Sequence, residues 1–374
     1  MLTAVPTCIN YLQYLIRPSR LNKTIIKFRK EKTNEKATCA LPRHGNGCVL
    51  DCLQRHKETP DSPTTTDDVF GPTLTASFGH VMSVDSPADQ AAKYFADRVA
   101  ELTKGTITVT VYPGSQLGGD RDMIESQQMG ALEFSLPGTS IYSSFEPTLG
   151  TFCLPFLYSD YGEARAVLDS DEVAEIYSVT GNQNIKLLTT FESGFRQLGT
   201  NKRAVNSLAD LKDQIIRIPQ GDIYTQTWAA LGTNGTPLAW NELFAALQTG
   251  VVDGEEAPLA NFATMGFGEV CKYFAYINYA YDPLMFTVSN DFWGKMNEAQ
   301  QQAVQQAAYE ARDLCRELNT KAEADYEAEL IEKWDMEFTH PDLTEFKAAV
   351  QPVYDSWNYQ DTLAVIQGVQ EKLS

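Results

Sequence analysis

From residue 295 to residue 340 the chain contains neither glycine nor proline. A stretch of that length without a helix breaker constrains the fold more than any other feature. It is filled with Ala, Glu, Gln and Lys, all good helix formers. Val304, Ala307, Ala308, Ala311, Leu314, Cys315 and Leu318 recur at the spacing that lines up apolar groups on one helix face. One long helix, broken at most once, is predicted. At about 1.5 Å per residue it can lie across two packed units.

Upstream, strand and helix patterns alternate. Residues 74–81 read as a strand. Ser86 then offers a capping hydroxyl and Pro87 a pre-set φ, so a helix is predicted over 88–104, closed by Gly105. Residues 107–112 alternate Ile, Val and Thr as a strand, and Pro113-Gly114 turns the chain. Asp120 is expected to cap a helix running to Gly130, followed by a strand over 132–136. Further strands are predicted at 186–191 and 214–218, and helices at 208–212, 223–231 and 242–248. This alternation predicts an α/β fold whose sheet is mostly parallel and covered by helices on both faces.

At 374 residues the chain is long enough for two domains with substantial cores. No run of about 18 apolar residues occurs, so it is not expected to span a membrane. The net charge of −19 is uneven, because residues 1–60 carry 11 Lys and Arg against 4 Asp and Glu, which leaves −26 on the rest. Nucleic acid is not an expected partner for so acidic a body. The basic segment 1–72 lacks the layout of a secretory signal peptide: its apolar stretch, 8–16, is interrupted by Asn10 and Gln13, and Arg17 and Arg20 follow it rather than precede it. This segment reads as a disordered leader or an extension from a misplaced start. Cys39, His44, Cys48, Cys52 and His56 lack the paired spacing of a zinc site, and neither metal nor cofactor is expected. Cys153, Cys271 and Cys315 are scattered and read as buried small hydrophobes, with one disulfide left open.

One charge is out of place. Arg217 lies inside Ile215-Ile216-Arg217-Ile218-Pro219, a run that reads as a buried strand. Burying a guanidinium with no anion beside it costs on the order of several kcal/mol. Either Glu255 or Glu256 meets it, or a guest anion does. The guanidinium fork matches a carboxylate in two parallel bonds, which makes a carboxylate the expected guest. Arg196, in Gly194-Phe195-Arg196-Gln197, supplies a second cation. Downstream, residues 245–258 read as a helix stopped by Gly250, then a short strand and a tight turn. Catalytic signals are missing. The body holds His80 and His340, but no G-x-S-x-G elbow, Gly-rich phosphate loop or H-E-x-x-H. Adjacent Glu255 and Glu256 would face opposite sides of a strand and so form no acid–base pair. An enzyme is not expected.

In order along the chain, Arg196, Ala209-Asp210-Leu211-Lys212, the Ile-Arg-Ile-Pro strand, Pro237-Leu238-Ala239-Trp240 and residues 245–258, which end in Asp253-Gly254-Glu255-Glu256-Ala257-Pro258, resemble the DctP-type solute-binding proteins of tripartite ATP-independent periplasmic (TRAP) transporters. The likeness runs from about Thr73 to about Tyr359. It implies a two-lobe, type II periplasmic-binding-protein fold with mixed sheets covered by helices and a long helix spanning both lobes. Lobe I is expected from 73–193 and 283–320, and lobe II from 194–282 and 321–374. The resemblance further implies a periplasmic location and hinge closure on a small organic acid. Delivery would be to TRAP membrane permease subunits that form an ion-driven symporter without an ATPase.

By resemblance, Arg217 clamps the ligand carboxylate, Arg196 assists, Trp240 lays a ring against the ligand and Gln220 offers an amide to hydroxyls. Plainer alternatives are an internal ion pair for Arg217, a surface salt bridge for Arg196, and a hydrophobic staple for Trp240 ahead of an Asn241 cap. Two departures stand out: Ala257 where many relatives have Asn, and Tyr279 where dicarboxylate-type members have His. Both lower polarity or enlarge an aromatic wall of Tyr279, Tyr281 and Trp240, which suggests a guest with more apolar or aromatic body than a C4-dicarboxylate. His80, at the end of the first strand, is either a ligand contact or a core histidine. An enzyme on the same two lobes, or a sensory ligand-binding partner, is the alternative function.

Overall fold

A computed structural model of the chain describes residues 71–373. The basic leader and the cluster of Cys39, His44, Cys48, Cys52 and His56 lie outside the described residues. The strands are Leu74–Gly79 (β1), Ile107–Tyr112 (β2), Phe134–Ser135 (β3), Ile185–Thr200 (β4), Ile215–Ile218 (β5), Asn234–Pro237 (β6), Gly254–Pro258 (β7), Tyr273–Ser289 (β8) and Glu337–Thr339 (β9). The helices are Pro87–Leu102 (α1), Asp120–Gln128 (α2), Thr139–Tyr142 (α3), Tyr161–Leu168 (α4), Asp171–Tyr177 (α5), Asp222–Ala230 (α6), Leu243–Gln248 (α7), Leu259–Thr264 (α8), Asn290–Trp293 (α9), Glu298–Trp334 (α10), Thr344–Ala349 (α11), Gln351–Asp355 (α12) and Gln360–Leu373 (α13).

The sheet runs in the order β2-β1-β3-β8-β4-β7-β5-β6, with β9 paired to β8 off this path. In one half β1 has parallel neighbours β2 and β3, and in the other β5 lies between parallel β6 and β7. The antiparallel pair β4 and β8, 16 and 17 residues long, joins them into two lobes on one sheet. The expectation of a mostly parallel sheet therefore fails at the centre. Both central strands are buried along nearly their whole length, so neither shows the alternation that betrays a half-buried strand. Only 186–191 was legible within β4, and β8 was not. Their register slips between Leu187 and Thr189, Glu192 and Gly194, and Arg196 and Leu198, irregularities of the kind that bend strands.

Helix α1 forms as its sequence indicates. The Ser86 hydroxyl accepts from the Asp89 N–H, Pro87 opens the helix, and Ala88, Ala91, Ala92, Phe95 and Val99 make its buried face. Phe95 meets Phe286 edge-on at 4.7 Å, and Phe286 stacks on Phe78 at 4.8 Å. Each such ring contributes roughly 2–3 kcal/mol by leaving water. Helix α10 is 37 residues long, shorter than the breaker-free stretch at both ends. Asn297 caps it reciprocally with Gln300, and Asp335, at φ +52°, turns the chain out of the helix. It packs against α1, β4 and α8, and so runs from one lobe to the other.

Two local expectations need correction. Residues 208–212 form a 3₁₀ turn, Leu208–Leu211, and Asp120 is not a cap. Gly119 holds that position, Asp120 is the first helical residue, and the Asp122 carboxylate accepts the Gly119 N–H at 2.9 Å. The C-terminal helices, expected with lobe II, touch both expected lobes, since α13 packs on α4 and α5 and α12 packs on α6. Cys153, Cys271 and Cys315 are buried and free.

Candidate functional site

Arg217 is the third residue of β5, held between Thr236 of β6 and Glu255 of β7. Ile216 and Ile218 point into the core at 0% exposure, and the alternation of the strand sends the Arg217 side chain, itself only 2% exposed, to the other face. Its Nε and Nη2 both donate to the Leu238 carbonyl, at 3.1 and 2.8 Å, and the guanidinium lies 5.4 Å from the centre of the Trp240 ring. Its Nη1 is buried and has no partner. Among the described residues no carboxylate lies within ion-pair distance of it, so the internal ion pair considered from sequence does not form. Glu255 is electrostatically coupled to Arg217, but neither of its own carboxylate oxygens has a hydrogen-bond partner. Burial pushes the Glu255 carboxyl up to about 8, with Arg217 pulling it back.

Arg217 opens into a cavity of ≈ 230 Å³ between the lobes. From the range expected for lobe I come Val81, Met82, Ser140 and Ile141, and from that expected for lobe II come Arg196, Gln220, Trp240 and Asn261. The lobes approach closely here. A side chain on Gly221, which sits at φ +152°, would start 2.9 Å from the Ser140 carbonyl oxygen.

Arg196 lines the same cavity but is spoken for. Its Nη1 donates to Asp282 at 2.7 Å, its Nη2 to the Glu256 carboxylate at 3.1 Å and backbone carbonyl at 2.6 Å, and its Nε to Glu256 as well. Arg196 is 4% exposed, so the surface salt bridge expected as the alternative is in fact a buried one. Burial raises the carboxyls of Glu256 and Asp282, and Arg196 works against that rise. The two adjacent glutamates do face different partners: Glu256 pairs with Arg196, while Glu255 sits beside Arg217.

The cavity is more polar than expected. Asp120 is half-buried, its Oδ1 is shut off from solvent without a partner, and burial with a further push from Asp282 raises its carboxyl to about 7 against the pull of Arg217 and a backbone bond from Gly138. Gln220 and Trp240 are half-buried in the wall, and the indole Nε1 of Trp240 is also unpartnered. Trp240 meets Phe267 edge-on at 5.6 Å, so it packs on lobe II as a staple would while lining the cavity. Asn241 caps nothing. It is exposed at the rim, and the local 3₁₀ turn starts from Ala239.

Ala257, Tyr279, Tyr281 and His80 do not line the cavity. Of the three rings expected to wall the cavity only Trp240 lines it, because both phenols turn inward to buried carboxylates, Tyr279 donating to Glu256 and Tyr281 to Glu192. Ala257 is buried in β7 opposite Gln197. His80 is fully buried, with Nε2 3.3 Å from Asp89 Oδ1. Burial opposes ionisation of Asp89, but the neighbouring His80, Lys93 and the Asp85 N–H hold its carboxyl down at about 2. Sequence reading missed Asp120 as a cavity residue, and also Ser140, Asn261 and Asp282. Asp282 carried a usable signal, being a lone acid in the apolar run Tyr281-Asp282-Pro283, the same anomaly that singled out Arg217.

Comparison with known proteins places this geometry. The profile of bacterial extracellular solute-binding proteins, family 7 (DctP), matches residues 78–361. The sialic acid-binding periplasmic protein SiaP of Vibrio cholerae is 30% identical over 288 residues, 76% of this chain and 88% of SiaP. The sugar acid binding protein DctPAm of Advenella mimigardefordensis, solved with galactonate, superposes with a TM-score of 0.78 at 26% identity, covering 81% of this chain and 99% of that one. A TRAP periplasmic solute binding protein of Polaromonas, bound to D-erythronate, gives a TM-score of 0.77 at 28% identity over 79% of this chain and 98% of its own. The chain belongs to the bacterial extracellular solute-binding proteins of family 7, the DctP family of TRAP transport.

Proposed function

We propose that the protein captures a hydroxylated organic acid in the periplasm, closes its two lobes on it, and hands it unchanged to a TRAP-type membrane permease. The observation that carries this reading is the Nη1 of Arg217, a buried charged donor on a cavity wall with no acceptor of its own. Leaving such a donor unmet costs about 1–3 kcal/mol or more, which a guest carboxylate would recover. Leu238 fixes the fork and Trp240 covers its face, so little side-chain entropy is lost on binding. Gln220, Ser140, Asn241 and Asn261 then suit a guest bearing hydroxyls, in keeping with the galactonate and D-erythronate held by similar proteins. Among the described residues no helix is long and apolar enough to cross a membrane.

The hinge is assigned to the β4–β8 pair near 193/194 and 282/283. Gly194, at φ +123°, pairs with Asp282 beside the register slip that starts at Glu192. Closure gains free energy only from tighter binding in the closed state. The test is a thermal-shift screen of the full chain against galactonate, erythronate, gulonate, succinate and an aromatic acid. Hydroxylated monocarboxylates are expected to raise the melting temperature. A response to none of these acids, or release of a chemically altered acid, would refute the reading.

A further inference from the structure

We propose that the cavity takes its organic anion together with a proton, and that Asp120 carries that proton. The inference rests on the binding function proposed above and concerns how that same site is regulated.

Arg196 is matched by both Glu256 and Asp282, so that trio contributes one net negative charge when ionised. Arg217 contributes one positive charge, and Glu255, behind it on β7 with Cys271 as a further neighbour, has no bonds that would favour its ionised form. The buried groups around the cavity are therefore balanced before any guest arrives, provided Asp120 is neutral. An ionised guest adds one negative charge, and an ionised Asp120 would add a second in the same small volume.

Geometry places Asp120 where it must respond. It lines the cavity with Arg217 and Asp282 and has an Oδ1 that is buried without a partner; burial and the Asp282 charge favour its neutral form, against the Arg217 charge and a backbone bond from Gly138. The other charged groups at the cavity, Arg121, Asp122 and Glu242, are exposed and screened by solvent. As a neutral acid Asp120 becomes a donor, able to reach a guest carboxylate or hydroxyl that an ionised aspartate would repel or only accept from. Burial already raises its carboxyl to about 7 without a guest, and an anion beside it can only raise it further.

The sign follows from linkage. When the complex binds more protons than the free protein, affinity is full below about pH 7 and falls as pH rises above it. With a free-state value near 7 and a higher one in the complex, the dissociation constant should rise about tenfold between pH 6 and pH 8. The experiment is calorimetric titration of the full chain with galactonate, erythronate and gulonate at pH 6 and pH 8, in buffers of different ionisation enthalpy. Expected are the tenfold weakening and uptake of nearly one proton per acid at pH 8. Asp120→Asn should lose most of the pH dependence and most of the proton uptake, while Glu255→Gln should keep most of both. Binding by the native chain that is unaffected by pH and buffer overturns the proposal even if the Asn variant fails to fold. Loss of proton uptake in Glu255→Gln instead of Asp120→Asn overturns the assignment to Asp120. If none of the three acids binds at any pH, the proposed function falls along with it.

Discussion

Replacing Arg217 by Met separates binding from folding. Methionine keeps an unbranched apolar body against Trp240 and removes the charge. In the protein without ligand, Arg217 loses two bonds to one carbonyl, each worth about 1.5–3 kcal/mol as a charged hydrogen bond. That loss is opposed by relief of burying a guanidinium, the largest influence on its lowered pKa. Glu255 need not be stranded as a charge, because its carboxyl is already raised to about 8. The opposing contributions should leave unliganded stability within about 2 kcal/mol of native, a shift of a few degrees. Ligand binding should suffer far more. Losing one side of a buried charged pair costs about 3 kcal/mol, roughly a hundredfold in dissociation constant. Acid at a hundred times the native dissociation constant stabilises the native chain by about 2.7 kcal/mol but the variant by only about 0.4 kcal/mol. Urea denaturation with and without acid reads both quantities. A variant that keeps the full ligand-induced gain, or one that loses more than about 5 kcal/mol in the absence of acid, would contradict the assignment.

Arg196→Met should behave in the opposite way, because it strands Glu256 and Asp282 in the interior. A loss of about 3–5 kcal/mol without ligand is expected by urea denaturation, and near-native stability would show that the trio is not structural. Trp240→Phe should keep the contact with Phe267 and most of the stability but weaken the cation–π cover of Arg217, giving a loss of a few-fold in affinity by titration calorimetry; unchanged affinity in Trp240→Ala would remove the ring from the site. Glu255, ordinarily near 4.5 and about 8 in the folded chain, makes the native state hold a proton that the unfolded chain releases across that range. Stability should therefore decline as pH rises from about 4.5 to 8, and Glu255→Gln should flatten that part of the curve; an identical decline in the variant would place its origin elsewhere.

Local chemistry determined much of this protein. Ser86-Pro87 set the start of α1, the alternation of Ile, Val and Thr set β2, and the absence of breakers set α10, because each depends on residues a few positions apart. An arginine among isoleucines was enough to single out Arg217. What the chain could not reveal by itself was partnership across long separations. Arg196 and Arg217 look alike as buried cations, yet Arg196 finds Glu256 and Asp282, 60 and 86 residues away, while the Nη1 of Arg217 finds none. The same holds for Tyr279 and Tyr281, whose hydroxyls turn toward buried carboxylates rather than the cavity, and for β8, buried on both faces and so without a period to read. Pairing and facing are decided when the β4–β8 ribbon brings distant segments together, since burial makes every charge seek whichever partner the packed fold leaves within reach.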